Sequence, residues 1–328
     1  MRVELTAFIL PHVGDEYSQC ADRFSYDEAN MSFAIADGVG NSLFPGDWAK
    51  LLCDDFVKHP DMFTEDSKLI REHELIEKWE RNRDSRVENL SEDEKFIFEM
   101  GLSKADFAAS TFIGLTLSKN GWECQAIGDS YLFVLGKDYE LINKVASMDG
   151  KDFDNYPEYF ASKVGQHNGT IIKREGDYKG VTCFALMTDA LSDWFLSDAT
   201  NQSSKKQLLS ILNHQDFEKF INNERQMGNL KDDDTTMLVL KIIQDGKEEL
   251  ILEKKTVDKI DDLLEKQDEF LDDDKHYSDD RNDEISSLSI EQIKKECLTI
   301  LSVNGNSNDC KTKRHIKKLV HNILDLLK

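Results

Sequence analysis

Asp37 follows the apolar run Phe33-Ala34-Ile35-Ala36 directly and precedes Gly38-Val39-Gly40, so the backbone can turn sharply there and present both a carboxylate and a carbonyl. An apolar run ending at an acid recurs along the chain. Asp189 follows Phe184-Ala185-Leu186-Met187-Thr188, Asp129 occupies the turn Gly128-Asp129-Ser130, and Asp233 sits in Asp232-Asp233-Asp234 just ahead of a strand-like run. A further acid, Asp22, lies in Cys20-Ala21-Asp22-Arg23-Phe24. Each alone is weak: an Asp-Gly pair is usually a turn, and an Asp triplet is usually a solvated loop. If the strands are neighbours, however, their ends bring several carboxylates together. Like charges at close range repel unless a cation neutralises them. An all-oxygen ligand set favours magnesium, manganese or calcium over zinc.

The elements that must position these acids are legible as short runs rich in Val, Ile, Phe and Thr, bounded by Gly, Asp and Asn. Strands are expected over Val3–Leu10, Met31–Ala36, Thr111–Leu117, Glu123–Ile127, Tyr131–Leu135, Thr182–Met187 and Thr236–Ile243. Helical spacing of apolar residues marks Asp47–His59, Lys68–Arg83, Ser91–Phe107, Ser203–Leu212 and Phe217–Met227. The regular strand–helix alternation of a parallel sheet is missing, which points to an α+β layered domain with mainly antiparallel sheets. This domain is expected to span 1–243. An acidic linker, partly helical at its start, covers 244–285. Two amphipathic segments within 286–328 form a helical hairpin, its last helix basic on one side through Lys311, Lys313, Arg314, Lys317 and Lys318. A partner-docking module, a stabilising appendage and a nucleic-acid contact are three readings of that hairpin.

Composition excludes several functions. With 41 Lys+Arg against 64 Asp+Glu the net charge is -23, which argues against nucleic acid and anionic membranes as partners. No apolar run approaches the roughly 20 residues of a membrane span. The start Met1-Arg2-Val3-Glu4-Leu5 lacks the apolar stretch of a signal peptide. The 6 cysteines are scattered without a Cys-x-x-Cys pair, so zinc ligation and disulfides are not expected and a cytoplasmic setting is. His12, His59, His73 and His167 are isolated and read as satisfied or surface residues rather than ligands.

Over roughly residues 1–243 the ordered motifs resemble the metal-dependent serine/threonine protein phosphatases, the PPM or type 2C family. The resemblance is carried by Cys20-Ala21-Asp22-Arg23-Phe24, Asp37-Gly38-Val39-Gly40, Ala109-Ser110-Thr111, Gly128-Asp129-Ser130, Thr188-Asp189-Ala190-Leu191-Ser192-Asp193 and Asp233-Asp234-Thr235-Thr236. It implies a β-sandwich of two antiparallel sheets flanked by helical pairs, with two Mn2+ or Mg2+ ions at one end. In that scheme Asp37 bridges both ions and the Gly38 carbonyl serves the second. Asp189 and Asp233 complete the first ion's ligands, Asp22 ligates or orients metal-bound water, and Asp129 with Asp193 matches a third, weaker position. It also implies that a bridging hydroxide attacks the phosphorus of phosphoserine or phosphothreonine in a signalling phosphoprotein. No protein nucleophile is needed, and none of the Cys-x5-Arg kind is present. In the family, Tyr156–Gly180 would be a flap beside the site.

The pattern departs from the family at several places. Tyr17-Ser18-Gln19-Cys20 stands where an Arg often holds the substrate phosphate, leaving Arg23 or Lys163 as substitutes. Ala21 stands for an acid or amide, Val39 for a His, Tyr131 for an Arg and Ala190 for a Gly. These departures define the alternative: a catalytically weak or inactive signalling adaptor that recruits a partner, such as a kinase or regulator, through the acidic linker and hairpin.

Overall fold

Strand residues alternate between two destinations, and that alternation builds the layers. The computed structural model describes residues 1–259 and 263, apart from 41, 64–67, 91–105, 152, 154, 155, 245, 247 and 248. The chain divides at Gln267, and everything from Asp268 on lies outside the described residues, including the expected hairpin over 286–328. The helix expected over Ser91–Phe107 lies outside them too, apart from its last two residues.

Among the described residues one sheet has the order β13-β1-β12-β11-β7-β8. Its members are β1 (Arg2–Leu10), β7 (Tyr131–Leu135), β8 (Leu141–Val145), β11 (Cys183–Met187), β12 (Thr235–Ile243) and β13 (Ile251–Val257). The second sheet runs β10-β6-β5-β3-β2, from β2 (Arg23–Asp27), β3 (Ser32–Ala36), β5 (Phe112–Leu117), β6 (Trp122–Ile127) and β10 (Ile172–Gly176). A short pair joins β4 (Ala109–Ser110) to β9 (Phe160–Ala161). Every pairing is antiparallel except β1 with β13.

Leu132 and Val134, Phe184 and Leu186, and Leu238 and Leu240 point inward to meet Phe33, Ile35, Ile113, Leu115 and Cys124 of the other sheet. The intervening residues Tyr131, Phe133, Ala185, Met187, Met237 and Val239 point outward and are covered by α3 (Asp189–Leu196), α4 (Gln202–Leu208) and α5 (His214–Gln226). On the opposite outer face, α1 (Pro45–Lys58) and α2 (Glu72–Glu88) bury Trp48, Leu52, Phe56 and Trp79 against Ala34, Ala36 and Phe112. Because both faces of the inner strands are covered, they read as continuous apolar runs. Each large side chain buried this way contributes about 1.5–3 kcal/mol. The architecture is the expected α+β β-sandwich flanked by helices.

The helices start where local chemistry directs. Pro45 opens α1 with Asp47 in its first turn, matching proline's fixed φ and the positive helix end. Asn201 and Asn213 cap α4 and α5 through the amides of Ser204 and Asp216.

The sheet extends past the expected domain end at 243. β13, within the segment expected to be linker, adds in parallel to β1 and buries Leu252 against the sandwich core. Just beyond it, Asp258 accepts hydrogen bonds from the Ile9 amide at 3.1 Å and pairs with His214 Nδ1 at 2.7 Å, while Tyr17 Oη lies 2.9 Å from His214 Nε2. The strand has Leu252 as its single buried residue and carries Glu253, Lys254 and Lys255, so it lacks the apolar run that marks an inner strand. A chain ended after residue 243 is expected to melt about 5–10 °C below the full-length protein, given the lost burial of Leu252. A chain ended after Gln267 is expected to melt with the full-length protein. Identical thermal denaturation of all three would remove β13 from the core.

Candidate metal centre

Register places the acids. In the first sheet, Met187 at the end of β11 faces Met237 near the start of β12 and Tyr131 at the start of β7, and Leu10 at the end of β1 faces Thr235. In the second, Ala36 at the end of β3 faces Arg23 at the start of β2, and Ile127 at the end of β6 faces Phe112 at the start of β5. Asp189 follows β11, Asp233 precedes β12, Asp129 lies between β6 and β7, Asp37 follows β3 and Asp22 precedes β2. Antiparallel pairing therefore delivers the acids to one end of the sandwich.

Hydroxyls and backbone amides hold that end together across the two sheets. The Thr188 hydroxyl donates to Asp22 Oδ2 at 2.9 Å and accepts from the Thr236 amide at 2.9 Å. The Asp37 carbonyl accepts from Ser110 Oγ at 2.7 Å and from the Thr111 amide at 2.9 Å, and the Asp37 amide donates to Thr111 Oγ1. The Thr111 hydroxyl lies 3.1 Å from that of Ser130, next to Asp129. The Ser-Thr pair of the motif Ala109-Ser110-Thr111 is thus the clamp on the Asp37 peptide.

Two glycines are required by close approach. A Cβ on Gly38 would lie 2.7 Å from Pro45 Cβ and 2.9 Å from its backbone carbon. Gly128 turns with φ +102°, and a Cβ there would lie 2.5 Å from Thr111 Cβ.

The triplet Asp232-Asp233-Asp234 is not a solvated loop, and each member has its own work. Asp232 accepts from the Val13 amide and lies 3.2 Å from His12 Nε2. Asp234 accepts from the His12 amide at 2.9 Å and the Ala21 amide at 2.7 Å, latching the loop that carries Asp22. Asp233 faces the site, 3.0 Å from Lys231 Nζ, which also lies 3.4 Å from Asp189 Oδ2. The Arg225 guanidinium donates to the carbonyls of Pro11 and Asp233 and to the Thr235 hydroxyl, fixing the turn into β12. Lys231 and Arg225 are absent from the sequence expectations for the site, and Asp234 carries no role there, because nothing in local spacing tells which of three adjacent aspartates latches a loop and which faces the cluster.

The electrostatics record the crowding. Burial, followed by the charges of Asp22, Asp189, Asp233 and Asp129, holds the Asp37 carboxyl well above the ordinary range. Burial, then Asp234 and Asp189, does the same to Asp22, opposed by the hydroxyls of Thr236 and Thr188. Asp189 is pushed up to about 6 by burial and then by Asp233, against the pull of Lys231 and the Ala190 amide. The structure thus brings together Asp22, Asp37, Asp129, Asp189 and Asp233. Asp193 is exposed, one turn along α3 from Asp189.

The donor chemistry fits a divalent cation: the cluster consists of carboxylates, and Asp22 Oδ1 is buried without a hydrogen bond of ordinary geometry. Among the described residues no three Asp, Glu, His or Cys side chains are placed to hold a metal ion. Of the two basic substitutes named from sequence, Lys163 pairs with Asp106 at the surface, 2.5 Å away. Arg23 folds back to donate from Nη1 to the Cys20 and Asp22 carbonyls. Tyr131 stacks on Phe133 and donates to Asp149. The segment Tyr156–Gly180 is tied down at Phe160, whose carbonyl accepts from Trp48 Nε1, and at His167, 2.7 Å from Glu72.

Protonation couples to stability here with a defined sign. A carboxyl whose folded pKa is raised leaves the folded state binding more protons than the unfolded state between the two values. Stability then falls as pH rises from the ordinary carboxylate range through about 6, Asp189's shifted value. The metal-free protein is therefore expected to melt about 5 °C higher at pH 5 than at pH 7.5, with Mn2+ at pH 7.5 restoring the difference. A flat or rising melting temperature across that window, read by scanning calorimetry in chelator, would contradict the mutual repulsion.

The family model described as Protein phosphatase 2C matches residues 15–229, ending just short of Asp233. No curated protein sequence matches the chain. Among solved structures, the chain is similar to the serine/threonine phosphatase Stp1 from Staphylococcus aureus, at 12% identity, with 73% of this chain and 94% of that one covered and a TM-score of 0.46. It is also similar to the catalytic domain of the serine/threonine protein phosphatase PstP in complex with 2 manganese ions, at 16% identity, 74% and 99% coverage and a TM-score of 0.44. PppA, a regulatory component of the type VI secretion system in Pseudomonas aeruginosa, gives 16% identity, 74% and 99% coverage and a TM-score of 0.44.

Proposed function

The chain belongs to the protein phosphatase 2C family, and on that premise we propose that it is a metal-dependent phosphoprotein phosphatase that hydrolyses phosphoserine and phosphothreonine with Mn2+ or Mg2+. The observation that carries this reading is the convergence of Asp22, Asp37, Asp189 and Asp233 at one end of the sandwich, where burial and the charges of the other three hold the Asp37 carboxyl above the ordinary range. Such a cluster is unfavourable unless a cation neutralises it.

Asp37, the Gly38 carbonyl, Asp189 and Asp233 would hold two ions. Asp129 and Asp193 would serve a third, weaker one. The ions, when bound, would lower the pKa of a coordinated water toward neutrality and offset charge on the phosphoryl oxygens. The chain's own residues supply the rest. Ser110 and Thr111 fix the Asp37 peptide, so that its carboxylate and the adjoining Gly38 carbonyl keep one orientation. Thr188 holds Asp22 by Oδ2 and leaves Oδ1 to orient water or accept its proton. Asp234 latches the Asp22 loop, which keeps that oxygen at the site.

Asp37→Asn and Asp189→Asn are each expected to lower Mn2+-stimulated hydrolysis of an aryl phosphate at least about 100-fold, with circular dichroism reporting a retained fold. Near-normal turnover in either variant would sink the two-ion assignment. Mn2+ binding by the wild-type protein without turnover of aryl phosphate or phosphopeptide would instead support the adaptor reading. Phosphopeptides carrying phosphoserine, phosphothreonine or phosphotyrosine decide the substrate class, with the first two expected to react.

A further inference from the structure

Lys231 stands where two of the proposed ligands meet. Its ammonium spans Asp233 Oδ2 at 3.0 Å and Asp189 Oδ2 at 3.4 Å. Among the described residues no other cationic side chain forms an ion pair with either acid. The backbone around Lys231 is anchored on both sides. Leu230 is buried against the α3–α5 layer, with its amide on the Glu224 carbonyl, and Asp232 is tied to His12 and Val13. The side chain itself is 41% exposed. It can therefore swing into solvent while its Cα stays in place, and a lysine's flexible stem allows this at little cost.

We propose that Lys231 is a tethered counter-ion. It neutralises Asp189 and Asp233 when no divalent ion is bound and competes with that ion for the same two carboxylates. The inference rests on the metal-centre reading above. An ammonium is a compact point charge that asks only for nearby oxygens, whereas Mn2+ or Mg2+ needs several oxygens in a defined shell. The two cations cannot share these oxygens, so loading the ion expels the lysine head into solvent. Lys231 is thus a positioning residue: it keeps two mutually repelling acids together before the ion arrives and lowers the ion's apparent affinity by the free energy of that pairing.

The test uses the full-length wild-type protein, Lys231→Met and Lys231→Arg, with Mn2+ titrated by calorimetry and thermal melts in chelator and in saturating Mn2+. Methionine keeps a long flexible stem and removes the charge; arginine keeps the charge. K231M is expected to bind Mn2+ about three- to tenfold more tightly than wild type. It should melt lower than wild type in chelator and level with it in saturating Mn2+, while K231R stays close to wild type throughout. A merely structural lysine would lower both melts alike and would not tighten binding. Mn2+ bound by wild type and bound no more tightly by K231M overturns the counter-ion while leaving the metal centre standing. Mn2+ bound by K231M alone supports the counter-ion in its strongest form. No Mn2+ bound by either protein overturns the metal centre and the counter-ion together.

Discussion

The governing constraint is repulsion among carboxylates that the fold forces to one end of a sandwich. Two unit charges 4 Å apart interact by about 4 kcal/mol at the effective dielectric of a protein surface, so a cluster of acids is a considerable local cost. The sandwich sustains it because the cost is local and the core is not. Two sheets and two helical layers bury dozens of large side chains well away from that end. Around the acids, polar groups are placed so that the carboxylates cannot relax apart: Thr188 on Asp22, Ser110 and Thr111 on the Asp37 peptide, the Ala190 amide and Lys231 on Asp189. Repulsion held in place in this way favours binding of a divalent cation.

The hydrogen bonds at this end are also the ones that join the two sheets. Thr188 leaves β11 of one sheet and binds Asp22, which enters β2 of the other. Asp234 leads into β12 and binds the amides of His12 and Ala21. The opposite sheet is tied through Thr111 and Ser130, which flank Asp37 and Asp129. Site geometry and sheet-to-sheet alignment are therefore one network, and a change that shifts the sheets also moves the acids. Just beyond β13, Asp258 ties the far edge to the end of β1 through the Ile9 amide and to His214, which lies against Tyr17.

The fold was legible wherever a strand is covered on both faces. β3, β5, β7, β11 and β12 carry mostly apolar runs, and β1 and β6 apolar runs broken by a few polar residues, because their side chains meet the opposite sheet on one face and helices on the other. In the two main sheets, the strands that sequence reading passed over are the edges: β2, β8, β10 and β13. They are half-exposed and bear residues such as Arg174, Glu175, Glu253 and Lys254, as edges must if they are not to pair with other chains. Their existence is decided by the neighbour that accepts them, which no local window contains.

The acids divide along the same line. An aspartate at the end of an apolar strand is visible in the sequence, and its chemistry, oxygen donors suited to hard cations, follows from the residue type alone. Composition and motif order determined as much: an acidic α+β chain with carboxylates at strand ends and motifs of a metal-dependent phosphatase. Only the tertiary structure decided which strand ends share a rim, which member of Asp232-Asp233-Asp234 faces the site and which two are latches, and that Lys231 comes to rest between Asp189 and Asp233. Those outcomes depend on register and on contacts between residues far apart in the chain, and a linear sequence does not encode distance across a sheet until the strands have paired.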